Sequence, residues 1–257
     1  MRAVGADSFR DQGVNKLQSR TRRVSWPIVR RGWRIELGGF EQLPVAGPAI
    51  LCPNHISFID SIFLGFALPR NVSFVGKSEY MDSWKTKHVF PALGMIPIDR
   101  SGGSASQGAL DAAAAVLGRG ELFAIYPEGT RSRDGRLYKG RTGPARLAFL
   151  TGAPIYPVGI VGTDRVQPVG ARFPRPRTSC SITIGRPIHP DRYAGRGPEH
   201  MCWRSMIDEV MYEIRAMTGQ EYVNRYAGDA EAQPLTERTA EVAYVSDPER
   251  ELVTAGS

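Results

Sequence analysis

Short apolar runs bounded by glycine, proline and charged residues alternate along this chain with longer stretches of helical character. The runs predict strands over residues 49–52, 72–75, 95–98, 122–126, 155–161 and 181–184. Helices are predicted over 61–68, 80–90, 104–117, 143–150 and 199–217. The alanine-rich stretch from Ala109 to Val116 is the strongest helix former, closed by Gly118 and Gly120. Such alternation predicts an α/β fold, a mixed and partly parallel sheet flanked by helices. Sites in these sheets gather on loops beyond the strand carboxyl ends. His55, Lys77, Arg100 and Glu128 each closely follow a predicted strand, so the pattern sends them toward one edge.

Charge divides the chain. The first 35 residues carry Arg2, Arg10, Lys16, Arg20, Arg22, Arg23, Arg30, Arg31 and Arg34 against Asp7 and Asp11. Trp26, Pro27, Ile28, Val29 and Trp33 are interleaved with those cations, a mixture that suits an anionic membrane interface. Residues 1–37 therefore read as a basic amphipathic interface segment, with a solvated basic helix as the plain alternative. Residues 38–227 read as one folded domain, with neither internal repeat nor linker. Residues 228–257 are polar, acidic and lack a sustained apolar period, and are expected to form a disordered tail. No nucleic-acid motif accompanies the arginines, so nucleic acid is not expected as a partner.

Composition narrows the class further. At 257 residues and 42% hydrophobic content the chain can bury the core of one α/β domain. No run of 18 apolar residues occurs, whereas a membrane-spanning helix needs about 20. The first 20 residues also lack the apolar segment of a secretory signal. A peripheral or monotopic protein on the cytoplasmic face of the cell membrane is the expectation. Cys52, Cys180 and Cys202 have neither disulfide nor metal-ligand spacing, and His88, His189 and His200 are isolated, so no metal site is expected.

Candidate chemistry concentrates in Asn54-His55-Ile56-Ser57-Phe58-Ile59-Asp60. Imidazole is the side chain that takes up a proton near neutrality unaided, and a carboxylate can fix its tautomer. On an ideal helix residues five apart lie roughly 140° apart and do not share a face. The pair can meet if His55 sits on the loop leaving a strand and Asp60 sits in the first turn of the next helix, where the dipole also favours a carboxylate. A surface histidine and an unrelated capping aspartate is the competing reading. Cys52 reads as a buried strand cysteine and Ser57 as a loop-to-helix cap, neither as a nucleophile.

Three further blocks follow in order: Gly94-Met95-Ile96-Pro97-Ile98-Asp99-Arg100, Tyr126-Pro127-Glu128-Gly129-Thr130-Arg131-Ser132, and Ala153-Pro154-Ile155-Tyr156-Pro157-Val158-Gly159-Ile160. Together with the His55 block they resemble the lysophosphatidic acid acyltransferases, the PlsC-type glycerolipid acyltransferase family. The lead-in Gly39-Phe40-Glu41-Gln42-Leu43-Pro44 and the linker Tyr138-Lys139-Gly140 are similar too.

The resemblance implies the family's fold and transfer of a fatty acyl group from a thioester to the free hydroxyl of 1-acylglycerol 3-phosphate, giving phosphatidic acid. It implies His55 as general base, Asp60 as its orienter, and direct attack without an acyl-enzyme. Acceptor binding is implied for Arg100, Glu128, Gly129, Thr130 and Arg131, with Lys77 as a lysine near the site. Glu128 is expected to orient an arginine or accept from a glycerol hydroxyl, since like charges repel in a phosphate site. No cofactor is expected beyond the donor substrate, acyl-CoA or acyl carrier protein. Partners are that donor, lysophosphatidic acid and an anionic membrane surface. Another lysolipid or a glycolipid acceptor, a non-enzymatic membrane-binding homologue, and a thioester hydrolase are the alternatives.

Overall fold

The computed structural model describes residues 7–77, 94–98 and 105–227. The helix expected over 80–90, Arg100 and the acidic tail lie outside these residues. In chain order the elements are helix α1 (Asp7–Gly32), strand β1 (Arg34–Gly38), β2 (Ala49–Pro53), α2 (Asp60–Ala67), β3 (Val72–Lys77), β4 (Met95–Ile98), α3 (Ala105–Gly118) and β5 (Leu122–Ala124). There follow β6 (Leu137–Tyr138), α4 (Gly143–Thr151), β7 (Ile155–Val161), the single turn α5 (Thr163–Val166), β8 (Ser179–Ile184), α6 (Glu199–Thr218) and β9 (Tyr222–Val223).

Seven strands form one sheet in the order β1-β8-β7-β2-β5-β3-β4. Strands β7, β2, β5, β3 and β4 run parallel; β8 is antiparallel to β7, and β1 is parallel to β8. The sheet is thus α/β and mostly parallel, flanked by helices as the sequence predicts. Alternate side chains of each central strand enter different cores, because successive residues point to opposite faces. Ile50, Cys52 and Phe123 pack with α3, α4 and α6 through Leu110, Val116, Leu147, Met206 and Val210. Ala49, Leu51, Leu122 and Ala124 pack on the other face with Phe63 and Leu64 of α2 and Val29 of α1. Strand β2 is buried along its whole length, which is why it reads as a continuous apolar run.

Strand β1 is absent from the sequence expectations. Its polar–apolar pattern Arg34-Ile35-Glu36-Leu37-Gly38 suits a partly exposed edge strand, but it follows directly on the basic segment. Arg34 pairs with Ser179 and Gly38 with Thr183, so the main sheet begins within residues read as membrane interface. The parallel pair β6–β9 was also not expected; two residues per strand are too few for a period to show.

Helix α1 crosses the sheet face beside α2. Midway along it Gln18 Nε2 donates to the carbonyl of Val72, at the amino end of β3, across 2.7 Å. After its end, the Trp33 ring lies 5.5 Å from that of Phe63. Gln18 and Val29 are buried, while Leu17, Val24 and Ile28 form an exposed apolar stripe.

Phe123, fully buried at the sheet centre, tests this packing. Phe123→Ala is expected to cost about 3–5 kcal/mol in chemical denaturation; a loss under about 1 kcal/mol would contradict a tightly packed core there.

Candidate active site

The site is built where β2 and β5, neighbours in the sheet, release their chains at the carboxyl edge. Asn54, the first residue beyond β2, is buried and continues the ladder with its side chain. Its Nδ2 donates to the Ile160 carbonyl (2.9 Å) and its Oδ1 accepts from the Ile160 N–H (2.7 Å). The loop carrying His55 therefore leaves from a rigid platform.

His55 and Asp60 meet: Nδ1 lies 2.9 Å from Asp60 Oδ2. Asp60 opens α2, as the spacing argument required. The same Oδ2 accepts the N–H groups of Ile56 (2.9 Å) and Ser57 (2.8 Å), folding the intervening loop around one oxygen. The other oxygen, Oδ1, is buried with no hydrogen-bond partner among the described residues. The histidine side chain is 19% exposed and the aspartate 0%, so the ring is open to solvent and its orienter is not.

Tyr126 stacks on the imidazole, with ring centroids 3.9 Å apart and planes 19° apart. Burial, and then the nearby Asp60 charge, raises its phenol well above the ordinary range. The neutral phenol bonds Ser61 Oγ at 2.5 Å, beside Asp60. The imidazole ring is thus held on one edge by Asp60 and on one face by Tyr126.

Glu128 bonds main chain. Its carboxylate is fully buried and pairs with no arginine among the described residues: Oε1 accepts the His55 N–H (3.0 Å) and Oε2 the Tyr138 N–H (2.9 Å). It clamps the backbone of the His55 loop to β6. A bond from the Ser132 N–H to the His55 carbonyl (2.7 Å) closes the same joint. Burial raises the Glu128 carboxyl to about 7, against the pull of the Tyr138 and His55 N–H groups. Gly129 follows with φ +77 in a tight turn, its N–H bonded to the Tyr126 carbonyl, a conformation glycine adopts without steric cost.

Gly129 and Thr130 are exposed and Arg131 is half-buried at the same edge. The guanidinium of Arg131 makes no ion pair or side-chain hydrogen bond among the described residues. Lys139 and Arg141 lie over the Tyr226 ring, their cations 5.8 and 4.8 Å from its centroid. Lys77 ends β3, next to β5 in the sheet. Arg100 lies outside the described residues. Cys52 is buried and its thiol is pushed well above the ordinary range by desolvation, so a thiolate is not available there. Ser57 is not the cap of α2; its hydroxyl donates to the Gln167 carbonyl (2.8 Å). Among the described residues no cluster of His, Cys, Asp or Glu is placed to hold a metal. Sequence reasoning missed Asn54 and Tyr126 as supports, although both stand inside the quoted blocks; only their contacts reveal the role.

Residues 34–161, which contain this constellation apart from the Gln167 and Tyr226 contacts, match the family model described as Acyltransferase. The chain belongs to the acyltransferase family. A chloroplastic 1-acyl-sn-glycerol-3-phosphate acyltransferase of Arabidopsis thaliana is 29% identical over 182 residues, 70% of this chain and 49% of the relative. An enzyme of the same name from Limnanthes douglasii is 36% identical over 137 residues, 47% of this chain and 46% of the relative. The chain thus spans about half the length of the curated relatives it matches. The crystal structure of the 1-acyl-sn-glycerophosphate (LPA) acyltransferase PlsC from Thermotoga maritima shares the fold. Its TM-score is 0.58 at 23% identity, over 80% of this chain and 78% of that one.

The buried Glu128 clamp in the acyltransferase domain has a measurable signature. Its folded pKa is raised above the unfolded value of 4.5, so the protonated form is favoured by folding. That stability is complete below about pH 4.5 and is lost as pH rises through about 7. The span corresponds to roughly 3 kcal/mol. Glu128→Gln should flatten this part of the stability–pH curve; an unchanged slope would assign it to other groups.

Proposed function

We propose that the chain catalyses O-acyl transfer from an acyl thioester to the free hydroxyl of 1-acylglycerol 3-phosphate, forming phosphatidic acid. The observation that carries this reading is the His55–Asp60 contact at 2.9 Å on a loop at the sheet's carboxyl edge. The names of the relatives supply the acceptor class.

With Nδ1 directed to Asp60, Nε2 is left to take the proton of the acceptor hydroxyl. The oxygen attacks the thioester carbonyl, the tetrahedral adduct collapses, and the carbon–sulfur bond breaks. The proton on Nε2 passes to the departing sulfur, so the base returns to its starting state. Asp60 stabilises the imidazolium in between, and Tyr126 limits rotation of the ring. Attack is direct, since Cys52 and Ser57 are engaged or buried away from the role of nucleophile. Arg131 would hold the acceptor phosphate, because guanidinium matches phosphate oxygens bidentately. Arg100 and Lys77 are assigned further positive charge there, and Gly129 and Thr130 the close backbone approach. Glu128 acts through the His55 loop and does not touch substrate.

Both substrates are amphiphiles, so we place the enzyme at an anionic membrane surface, peripherally and on the cytoplasmic side. Among the described residues no helix is long and apolar enough to cross a membrane. The exposed stripe Leu17, Val24 and Ile28 on α1 lies among Arg20, Arg23, Arg30 and Arg31, which suits interfacial binding.

The deciding assay is thiol release from palmitoyl-CoA by the purified chain, with and without 1-acylglycerol 3-phosphate, with the product identified by mass. Acceptor-dependent release with phosphatidic acid formed supports the reading. Release without acceptor indicates hydrolysis, and release only with another lysolipid or a glycolipid reassigns the acceptor. His55→Ala should lower kcat by about 10²–10⁴ with an unchanged thermal midpoint; near-normal turnover would remove the base assignment. Arg131→Gln should raise the acceptor KM by about tenfold or more, with little effect on donor KM. Equal effects on both substrates would make Arg131 structural.

A further inference from the structure

The connection between α5 and β8 has no part in the chemistry above, yet it has an organised form. Residues 167–178, Gln-Pro-Val-Gly-Ala-Arg-Phe-Pro-Arg-Pro-Arg-Thr, contain three arginines and no acidic residue. Phe173 is 71% exposed and Val169 55% exposed, and Arg172, Arg175 and Arg177 are exposed around them. None of the three guanidinium groups forms an ion pair among the described residues; that of Arg172 lies 5.5 Å from the centre of the Phe173 ring. Exposure of a phenylalanine at the tip of a cationic loop has no role in folding, because burial is what an apolar side chain would contribute.

The loop is not slack. The Arg175 N–H donates to the Val166 carbonyl at 2.6 Å and closes its base. The Ala171 N–H donates to the Pro168 carbonyl at 3.0 Å, and Gln167 Nε2 bonds the Ala171 carbonyl at 3.3 Å. Trp33 Nε1 donates to the Arg175 carbonyl at 2.7 Å, and the Arg177 N–H donates to Gly32 at 2.8 Å. Arg177 has φ +62, the only non-glycine residue with positive φ among those described, and that conformation is held by the contact with the end of α1. A third tether is the Ser57 hydroxyl on the Gln167 carbonyl, two residues from His55.

Topology gives these contacts a direction. Strand β7 runs parallel to β2, so the chain leaving β7 emerges at the edge that carries His55. Strand β8 returns from that edge, and β1, in register with it, starts there as α1 ends. The loop, the end of α1 and the His55 loop therefore share one rim of the molecule.

We propose that residues 167–177 form a second lipid-facing element, which seats Phe173 and Val169 in an anionic bilayer surface and lays Arg172, Arg175 and Arg177 among the headgroups. Through Ser57 and Trp33 it holds the rim bearing His55 against the surface that presents both amphiphilic substrates. The inference rests on the acyltransferase reading for its purpose, but not for its test. Apolar burial and anionic attraction add in such elements, so neither residue class acts alone.

The test uses the full chain with phosphatidylcholine vesicles, with and without phosphatidylglycerol. An environment-sensitive fluorophore is attached at Phe173→Cys, and in a second protein at Tyr212→Cys on α6, across the sheet. The native cysteines are buried and do not compete. Blue-shifted emission at 173 with the anionic vesicles only, and none at 212, is expected. Phe173→Ser should weaken vesicle partitioning about tenfold, and Arg172→Gln about fivefold. Turnover of both variants on substrates in detergent micelles should match the parent chain. A probe at 173 that stays in water, equal shifts at both positions, or unchanged partitioning of the variants would overturn the proposal. Absence of acyl transfer by the parent chain in micelles would sink the acyltransferase reading and leave the probe result standing.

Discussion

One carboxylate oxygen organises the site. Asp60 Oδ2 receives the imidazole of His55 and two backbone N–H groups from the loop between them. Burying a carboxylate is costly unless donors replace its water. Here those donors are the loop itself, so folding of the loop and orientation of the imidazole are one event. Asp60 can stand so deep because Phe63 and Leu64, in the next turn of the same short helix, anchor it in the core.

The second buried carboxylate solves a different problem. Glu128 joins the chain leaving β5 to the chain leaving β2 by gripping a backbone N–H on either side. Two carboxylates on one side of an imidazole would compete for it if both faced the ring. Glu128 faces main chain, and burial raises its carboxyl to about 7. Tyr126 adds a face contact, and its bond to Ser61 ties β5 to the start of α2. The half-buried Arg131 beyond the turn makes no ion pair among the described residues.

The molecule's outer surface follows from the same rim. Because β8 and β1 run against the other strands, the end of α1 and the loop before β8 arrive beside the His55 loop. Exposed apolar and cationic side chains on those two elements thus share the sheet edge that carries His55. Tyr212, exposed on α6, sits across the sheet from them.

Much of the fold was legible without coordinates. Buried parallel strands such as β2 and β7 need uninterrupted apolar runs, and α3 and α6 need long helical periods, so their chemistry leaves a local trace. The His55–Asp60 meeting was also readable, because a strand end, a short loop and a helix start constrain five residues strongly. Strand β1 was not, since a half-exposed edge strand of five residues beside a basic helix carries little pattern. Nor was the part played by Glu128: a carboxylate that bonds a surface arginine and one that bonds buried main chain are the same letter. The partners of Glu128, Tyr126 and Gln167 come from segments up to 110 residues away. Local sequence determined which elements form and which side chains they offer; only the order of strands in the sheet decided which of those side chains face one another.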